Sequence, residues 1–320
     1  MTIIRDECAT IQTEQLTKQY RSVPALTNLD LSVPEGSVFG FLGPNGAGKT
    51  TTIRLLLGFI RPTSGRARIH GLDTWCDGVA ARRNVGYLVP PEALYLDMSG
   101  TDQLDYAARL SGRPPVLRKT FLDELGLGSE ALKRRLGTYS KGMRQKLALT
   151  MAAQCDPALL ILDEPTDGLD PLVQRAFEGL IRERCEAGRT VFLSSHDLAE
   201  VERMCDRVAV VRSGLLVAQD SMVAFTRRRR RTVTVRFANS PPFALWELPH
   251  VTLLDRQDGL LRLAVEGDLN PLLGLLAGNV VDDLTVEPPS LEDAFMAFYD
   301  LDDETSGDPH PSRQRLGHAG

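Results

Sequence analysis

The sequence predicts an α/β fold built on a mostly parallel sheet covered by helices, followed by a smaller α+β domain. Three observations carry this expectation. Short apolar runs alternate with helix-patterned stretches up to about Ala224, which is the order of strand–helix–strand units. A glycine-rich turn joins one such run directly to a helix at Gly43–Lys49. Past the arginine run Arg227–Arg231 the period changes, and Thr232 to Phe237 alternates polar and apolar residues as a half-buried strand does. At roughly 150 residues per domain, the 320 residues divide into about two.

The elements follow in order. Val38 to Leu42 is a compact apolar run, and a helical stretch from Lys49 to Phe59 follows its glycine turn. Leu159 to Leu162 is a second apolar run, suited to a strand buried on both faces. Asp170-Pro171 reads as an N-cap and first helical residue. Val173, Phe177, Leu180 and Ile181 supply that helix's apolar stripe, and Gly188 stops it. Val191 to Leu193 is the next strand. Beyond the arginines comes a helix-like piece at Phe243 to Leu248. Strands around Val251 and Leu261 then flank a turn at Asp258-Gly259, a helix opens at Asn270-Pro271, and a last strand runs from Val280 to Val286. The order β-α-β-β-α-β predicts a small ferredoxin-like module. Ser290-Leu-Glu-Asp293 is a capping box, with Leu291, Phe295, Phe298 and Tyr299 on one helical face. The expected domains are residues 10–226 and 232–300, with a polar, Gly- and Pro-containing tail over 301–320 whose composition predicts disorder.

Composition excludes several classes. Acidic residues number 42 against 37 basic, a net charge of −5, which counts against general nucleic-acid binding. The five cysteines (Cys8, Cys76, Cys155, Cys185 and Cys205) form no C-x-x-C pair. That counts against a zinc or disulfide framework and fits a reducing compartment. The N-terminal stretch carries Asp6 and Glu7 where a signal peptide needs an apolar core. Apolar runs such as Leu272 to Ala277 fall short of the ~20 residues of a membrane helix. The chain is expected not to span a membrane, and remains able to dock on a chain that does.

The chemistry sits in a few short segments. Gly43-Pro44-Asn45-Gly46-Ala47-Gly48-Lys49-Thr50 matches G-x-x-x-x-G-K-[ST] between a strand and a helix. Its glycines let backbone N–H groups close around phosphate oxygens, with the helix N-terminus adding a favourable field. Lys49 would reach the β- and γ-phosphates, and Thr50 would ligate Mg²⁺. The bland alternative is a glycine turn that binds nothing. Leu159-Leu-Ile-Leu162 delivers Asp163 and Glu164 to the carboxyl end of a buried strand, where ligands bind in such sheets. Asp163 would hold Mg²⁺, directly or through water, and Glu164 would act as general base on the attacking water. Tyr139-Ser140-Lys141-Gly142-Met143-Arg144-Gln145 opens a helix with Met143, Leu147 and Met151 on one side. Ser140 would cap it, and Gly142 leaves room for a phosphate. Ser194-Ser195-His196 follows another apolar strand, so His196 is either a satisfied structural histidine or a γ-phosphate contact.

Together these segments resemble the ATP-binding subunit of an ABC transporter. The resemblance covers about residues 10 to 224. It rests on GPNGAGKT (Walker A), YSKGMRQ (the signature), LLILDE (Walker B), Gly168-Leu169-Asp170-Pro171 (the D-loop) and Ser194-Ser195-His196 (the H-loop), in that order. It implies a P-loop ATPase domain with a helical subdomain, and ATP and Mg²⁺ as cofactors. Glu164 and His196 would be catalytic, Thr51 would join the phosphate contacts, and Tyr20 would stack on adenine. It also implies a head-to-tail dimer with a second copy or a homologous ATPase subunit. In that dimer Ser140, Gly142 and Asp170 lie at the shared nucleotide, the two signature residues facing the γ-phosphate held by the other subunit's Lys49. The partner is a separate membrane-spanning permease, which puts the chain at the cytoplasmic face of the membrane. YSKGM and the ending PSLEDAF are similar to bacterial exporters of drugs, polysaccharides or lipids, in which a small domain follows the ATPase.

One stretch departs from the family pattern. A Gln or Glu that contacts Mg²⁺ normally follows the strand reading close to GYLP. Here the chain reads Val85-Gly-Tyr87-Leu88-Val89-Pro90-Pro91-Glu92, so Pro90 takes that position with no side-chain oxygen. Either Glu92 fills the role from two residues away, ~6–7 Å along an extended chain, or metal coordination is weakened. The arginine run would either bind anionic lipid headgroups or serve as a solvated linker. Two rival functions are weighed against export. A soluble ABC ATPase acting on ribosomes or DNA usually carries two cassettes or a coiled coil, and this chain shows one cassette and no heptads. An inactive partner in a heterodimer is opposed by the intact Glu164 and His196.

Overall fold

The computed structural model describes residues 9–227, 230–239, 241–248, 250–257 and 259–287. Its contacts divide the chain after Met222 into two units. The division falls earlier than the expected 226, because the backbone N–H of Met222 still bonds back to the carbonyl of Asp206 at 2.8 Å, and the helix Met222–Arg227 begins there.

Among the described residues, the first unit is centred on a six-stranded sheet. Its order is Leu215–Ser221, Arg207–Arg212, Val38–Leu42, Thr190–Ser195, Leu159–Asp163, Val85–Tyr87. All neighbours are parallel except the first pair. Val38–Leu42 is buried along its whole length, as is Thr190–Ser195, and Leu159–Asp163 up to its last residue. Strands covered on both faces need continuous apolar runs. Phe192 packs between Phe39 and Phe41 with ring centroids 6.0 and 5.5 Å apart. Ile53 and Leu56 of the helix Lys49–Leu56 join the same core. That helix stops short of the expected Phe59, because Gly58 turns at φ 62°, where a Cβ would lie 2.2 Å from the carbonyl of Thr74. Asp170 caps Pro171–Glu186, whose Phe177, Leu180 and Ile181 are buried.

A second, antiparallel sheet was not legible in the sequence. It pairs Val23–Leu29, Ala9–Tyr20, Ser64–Ile69 and Leu72–Asp73 in that order, with Ser32–Pro34 against Ala9–Tyr20. Register shifts interrupt Ala9–Tyr20 against each partner, and Gln15 sits at φ 46°. The period of two is therefore broken. The strand also buries hydroxyls rather than apolar groups at two positions: Thr10 bonds to Thr190 at 3.1 Å, and Thr13 donates to the carbonyl of Leu29 at 2.7 Å. Gly100–Ser111, Arg118–Glu124 and Lys141–Ala153 form a helical region around Leu94, Leu104, Leu127, Leu136, Tyr139 and Leu147, with Met143 and Met151 packed against it.

In the second unit the described strands follow the order Val251–Gln257, Leu260–Glu266, Arg230–Phe237, Val281–Glu287, with every neighbouring pair antiparallel. That is the split β-α-β order of a ferredoxin-like module. Its core joins Val233, Val235, Leu261, Leu263 and Val265 to Leu272 and Leu276 of the helix Asn270–Ala277. The expected first helix is a single 3-10 turn, Phe243–Glu247, entered through Pro242. Asp258, the capping box from Ser290, the face formed by Leu291, Phe295, Phe298 and Tyr299, and the tail lie outside the described residues. No helix among the described residues is long and apolar enough to cross a membrane.

The turn entering Leu159–Asp163 is tied to the strand beside it. Asp156 accepts from Arg189 Nε at 3.1 Å and Nη2 at 2.5 Å, with Arg184 3.9 Å away. The Arg189 hydrogen bonds hold the Asp156 carboxyl below its ordinary value of 3.8, against the opposing effect of burial. The unfolded chain therefore binds more protons in that acidic window, and the stability this pair contributes is present above about 3.8 and lost as pH falls through the folded value. Asp156→Asn should destabilise the chain by about 1.5–3 kcal/mol at neutral pH. In thermal unfolding followed by circular dichroism, the gap to wild type should narrow as pH drops below 3.8. A gap that stays constant with pH would contradict this reading.

Candidate active site

The carboxyl ends of three neighbouring strands build the site. Val38–Leu42 is level with Thr190–Ser195 through Leu42 and Ser195, and Leu159–Asp163 through Asp163 and Ser194. Gly43 leaves the first strand with its N–H donating to the carbonyl of Ser195 at 3.3 Å. The loop then curls into Lys49–Leu56 through Gly46 and Gly48, at φ 82° and 108°. At Gly48 only glycine suits the backbone, and a Cβ would lie 2.8 Å from the carbonyl of Ala25. The loop ends on the N-terminus of the helix, where free backbone N–H groups and the helix dipole favour anions.

Lys49 folds back under this loop and is 6% exposed. Its Nζ donates to the carbonyls of Gly43 at 2.6 Å and Pro44 at 3.4 Å, and lies 3.2 Å from Glu164 Oε1. Thr50 Oγ1 donates to Asp163 Oδ2 at 2.9 Å, and Ser194 Oγ donates to Asp163 Oδ1 at 2.5 Å. Glu164 stands at φ 49°, in the left-handed region, and its N–H donates to Ser194 Oγ and to the Ser194 carbonyl, both at 3.2 Å. That turn swings its carboxylate off the strand axis toward His196, whose Nδ1 is 2.8 Å from Glu164 Oε2. One carboxylate thus bridges a buried ammonium and an exposed imidazole.

A cleft of about 380 Å³ opens over these groups. Pro44, Asn45, Gly46, Gly48, Lys49, Thr50 and Thr51 of the glycine loop line it, as do Asp163 and Glu164. Pro90, Pro91 and Glu92 line it too, together with Lys141, Gln145 and Asp167. Glu92 sits on the 3-10 turn Pro91–Ala93. Lys141 bonds to Asp167 at 2.7 Å, and that bond, with Glu92 as a lesser contributor, raises its pKa. Gly43 and Ala47 do not line the cleft, and Ala47 is buried in the core.

Besides Gly43 and Ala47, the expected Tyr20, Ser140, Gly142, Asp170 and His196 are not among those lining the cleft, His196 reaching it only through its contact with Glu164. Tyr20 ends the strand Ala9–Tyr20, 44% exposed, with the Lys18 ammonium 5.1 Å from its ring centre. Ser140 caps Lys141–Ala153 by accepting from the N–H of Met143, and Asp170 accepts from those of Leu172 and Val173. Gly142 lies against Gly168, where a Cβ would stand 2.9 Å from the carbonyl. Sequence reasoning in turn missed three groups. Ser194 bonds both Asp163 and Glu164. Gln145 donates to the carbonyl of Pro165 at 2.7 Å. Glu200 is 2% exposed, and burial pushes its carboxyl up from the usual value. Gln145 ends the quoted signature and was recoverable, but an acidic residue on a short helix carries no sequence signal of its own.

The residues fit a bound nucleoside triphosphate with Mg²⁺. The glycine loop and the Lys49 ammonium suit phosphate oxygens. Thr50 and Asp163 offer hard oxygen donors side by side. Mg²⁺ is often bound by one or two carboxylates together with substrate phosphates, and Asp163 is a carboxylate so placed.

Residues 26–167 match the family described as ABC transporter. The bacitracin transport ATP-binding protein BcrA of Bacillus licheniformis is 35% identical over 301 residues, covering 89% of this chain and 96% of that protein. The daunorubicin/doxorubicin resistance ATP-binding protein DrrA of Streptomyces peucetius is 39% identical over 213 residues, covering 65% of this chain and 64% of that protein. Among solved structures, an ATP-binding subunit of an ABC transporter aligns with a TM-score of 0.64 at 29% identity, covering 68% of this chain and 92% of that one. A dimeric, post-hydrolysis ATP-binding cassette bound to ADP and Pi aligns with a TM-score of 0.61 at 21% identity, covering 66% and 98%, a likeness of fold. Because the match to BcrA runs nearly the whole length of both proteins, and the strand ends carry the groups such an enzyme needs, this chain belongs to the ATP-binding subunits of ABC transporters and is an ATPase.

Proposed function

We propose that this chain powers export of a drug-, lipid- or polysaccharide-type cargo through a separate membrane-spanning permease, from the cytoplasmic face of the membrane. The names of BcrA and DrrA, a bacitracin transport protein and a drug resistance protein, support the exporter class. The cargo site belongs to the permease. A second copy or a homologous ATPase subunit completes the working unit, and the dimeric solved cassette supports that pairing. In it Ser140, Gly142 and Asp170, caps and contacts within one subunit, would present their loops to the nucleotide of the other. Tyr20 would stack on adenine.

The observation that carries the catalytic reading is the Glu164 carboxylate held between Lys49 at 3.2 Å and His196 at 2.8 Å. Gly46, Gly48 and the helix N-terminus would cradle the phosphates, with Thr51 beside them. Phosphate oxygens would compete with Glu164 for the Lys49 ammonium, freeing Oε1 to accept a proton from the attacking water. His196 holds the other oxygen, so the carboxylate keeps its aim while that happens. Mg²⁺ held by Thr50 and Asp163, with Glu92 as a third donor, would supply neutralisation of charge at the β- and γ-phosphates. An inactive binding partner would have no use for this arrangement of Glu164 and His196.

Two predictions follow from these roles. Glu164→Gln keeps the shape of the side chain and removes the base. It should bind ATP with near wild-type affinity and lose about 10²–10⁴-fold in hydrolysis rate in a purified permease complex. Lys49→Ala should instead weaken nucleotide binding itself. Wild-type hydrolysis by Glu164→Gln would overturn the assignment of the base. The second concerns Glu92, which lines the same cleft as Thr50 and Asp163 while Pro90 stands at the family's Gln position. ATPase activity of Glu92→Ala should need several-fold more Mg²⁺ than wild type. Superimposable Mg²⁺ curves would leave Glu92 as a neighbour of Lys141 only.

A further inference from the structure

Behind the cleft a second carboxylate joins the two segments that carry the proposed chemistry. Glu200 lies on the helix Leu198–Met204 and is 2% exposed. Its Oε1 accepts from Thr166 Oγ1 at 2.8 Å, and its Oε2 accepts from Ser195 Oγ at 2.5 Å. Thr166 follows Glu164 by two residues, and Ser195 immediately precedes His196. Glu164, which lines the cleft, meets His196 at 2.8 Å. The contacts therefore close a ring, from Glu164 through Thr166 to Glu200, through Ser195 to His196, and back to Glu164.

The chemistry of this ring is costly, and that cost is informative. A buried carboxylate is stable only where hydrogen bonds replace its lost water. The neighbouring Val201 and Met204 are buried apolar residues on the same helix, so an apolar side chain would suit packing alone. Both carboxylate oxygens are instead spent on hydroxyls, one from the turn after Leu159–Asp163 and one from the end of the strand Thr190–Ser195. The loop on the Glu164 side also needs restraint. Glu164 sits at φ 49° without being glycine, a strained conformation that persists only when its surroundings hold it. Gln145 tethers that loop at the carbonyl of Pro165, and Glu200 tethers it at Thr166. On the other side, Ser195 Oγ also accepts from the N–H of Asp197 at 2.9 Å, so the hydroxyl that Glu200 receives is itself fixed in direction.

We propose that Glu200 is a positioning residue for hydrolysis: it sets the separation and orientation of Glu164 and His196 without touching the nucleotide. This rests on the reading of Glu164 as the base. It adds to that reading that the geometry of the pair is maintained from behind by a bridge whose loss lowers turnover and leaves nucleotide binding in place.

The test uses the full chain with MgATP for steady-state kinetics and a fluorescent ATP analogue for affinity. Glu200→Ala should lower kcat about ten- to a hundredfold, with KM and analogue Kd within about twofold of wild type. Glu200→Gln should recover most of kcat, because its amide accepts one hydroxyl and donates to the other. If Glu200→Ala does not fold, Thr166→Val cuts one arm of the bridge and should show the same split. A wild-type kcat in the Ala variant, or in Thr166→Val where Ala is unfolded, overturns the proposal. So does a fall in affinity that keeps pace with the fall in kcat, which is the signature of a merely structural residue. Glu164→Gln run alongside separates the two readings. Full activity there removes the base assignment and this inference with it. An inactive Glu164→Gln beside a fully active Glu200→Ala removes this inference alone.

Discussion

The carboxylate of Glu164, held between the Lys49 ammonium and the His196 imidazole, is the interaction on which the rest of the site depends. It joins residues from three chain segments far apart in sequence, and it exists only because three parallel strands end level with one another. Leu42 is opposite Ser195, and Asp163 opposite Ser194. A shift of one residue in any of these strands would turn its side chains to the other face and take the loop, the acids or the histidine out of reach. The burial of the apolar residues of Val38–Leu42, Leu159–Asp163 and Thr190–Ser195 is therefore what fixes the chemistry in place, although none of those apolar side chains takes part in it.

Around this centre the molecule spends polar groups to hold backbone in unfavourable shapes. Gly48 accepts a left-handed turn at no steric penalty, so the loop can reach the helix N-terminus directly. Glu164 takes a similar turn without that freedom and is held by its own N–H donating to Ser194, by Gln145 donating to the carbonyl of Pro165, and by Thr166 donating to Glu200. Restraint of that kind suits a general base, whose efficiency depends on the position of its oxygen relative to the proton it accepts.

The parts legible in the sequence share a physical feature: a local pattern uninterrupted by tertiary contacts. The glycine loop, the apolar strand ending in Asp163-Glu164, and the Asp170-Pro171 cap each declare themselves within a few residues. The order of the C-terminal strands followed from period-two alternation, and its first helix shrank to a 3-10 turn where Pro242 enters it. What stayed hidden was set by distant partners. The strand Ala9–Tyr20 carries register shifts and buried threonines satisfied by residues elsewhere, so neither alternation nor hydrophobicity marks it. Ser194 and Glu200 look like ordinary polar residues until the fold brings Asp163, Thr166 and Ser195 to them. The place of Glu92 beside the cleft rests on the third dimension as well, since only the folded chain brings the turn Pro91–Ala93 to the cleft that holds Thr50 and Asp163.

In the proposed mechanism the loop around Lys49 binds the nucleotide while the Glu164–His196 pair performs hydrolysis, two tasks on separate strand ends. Single-turnover hydrolysis by His196→Ala, measured with enzyme in excess over ATP and alongside nucleotide affinity, tests it most directly. Affinity should be unchanged and the single-turnover rate lowered by about 10²-fold or more. A wild-type single-turnover rate, or a loss of affinity equal to the loss of rate, would contradict it.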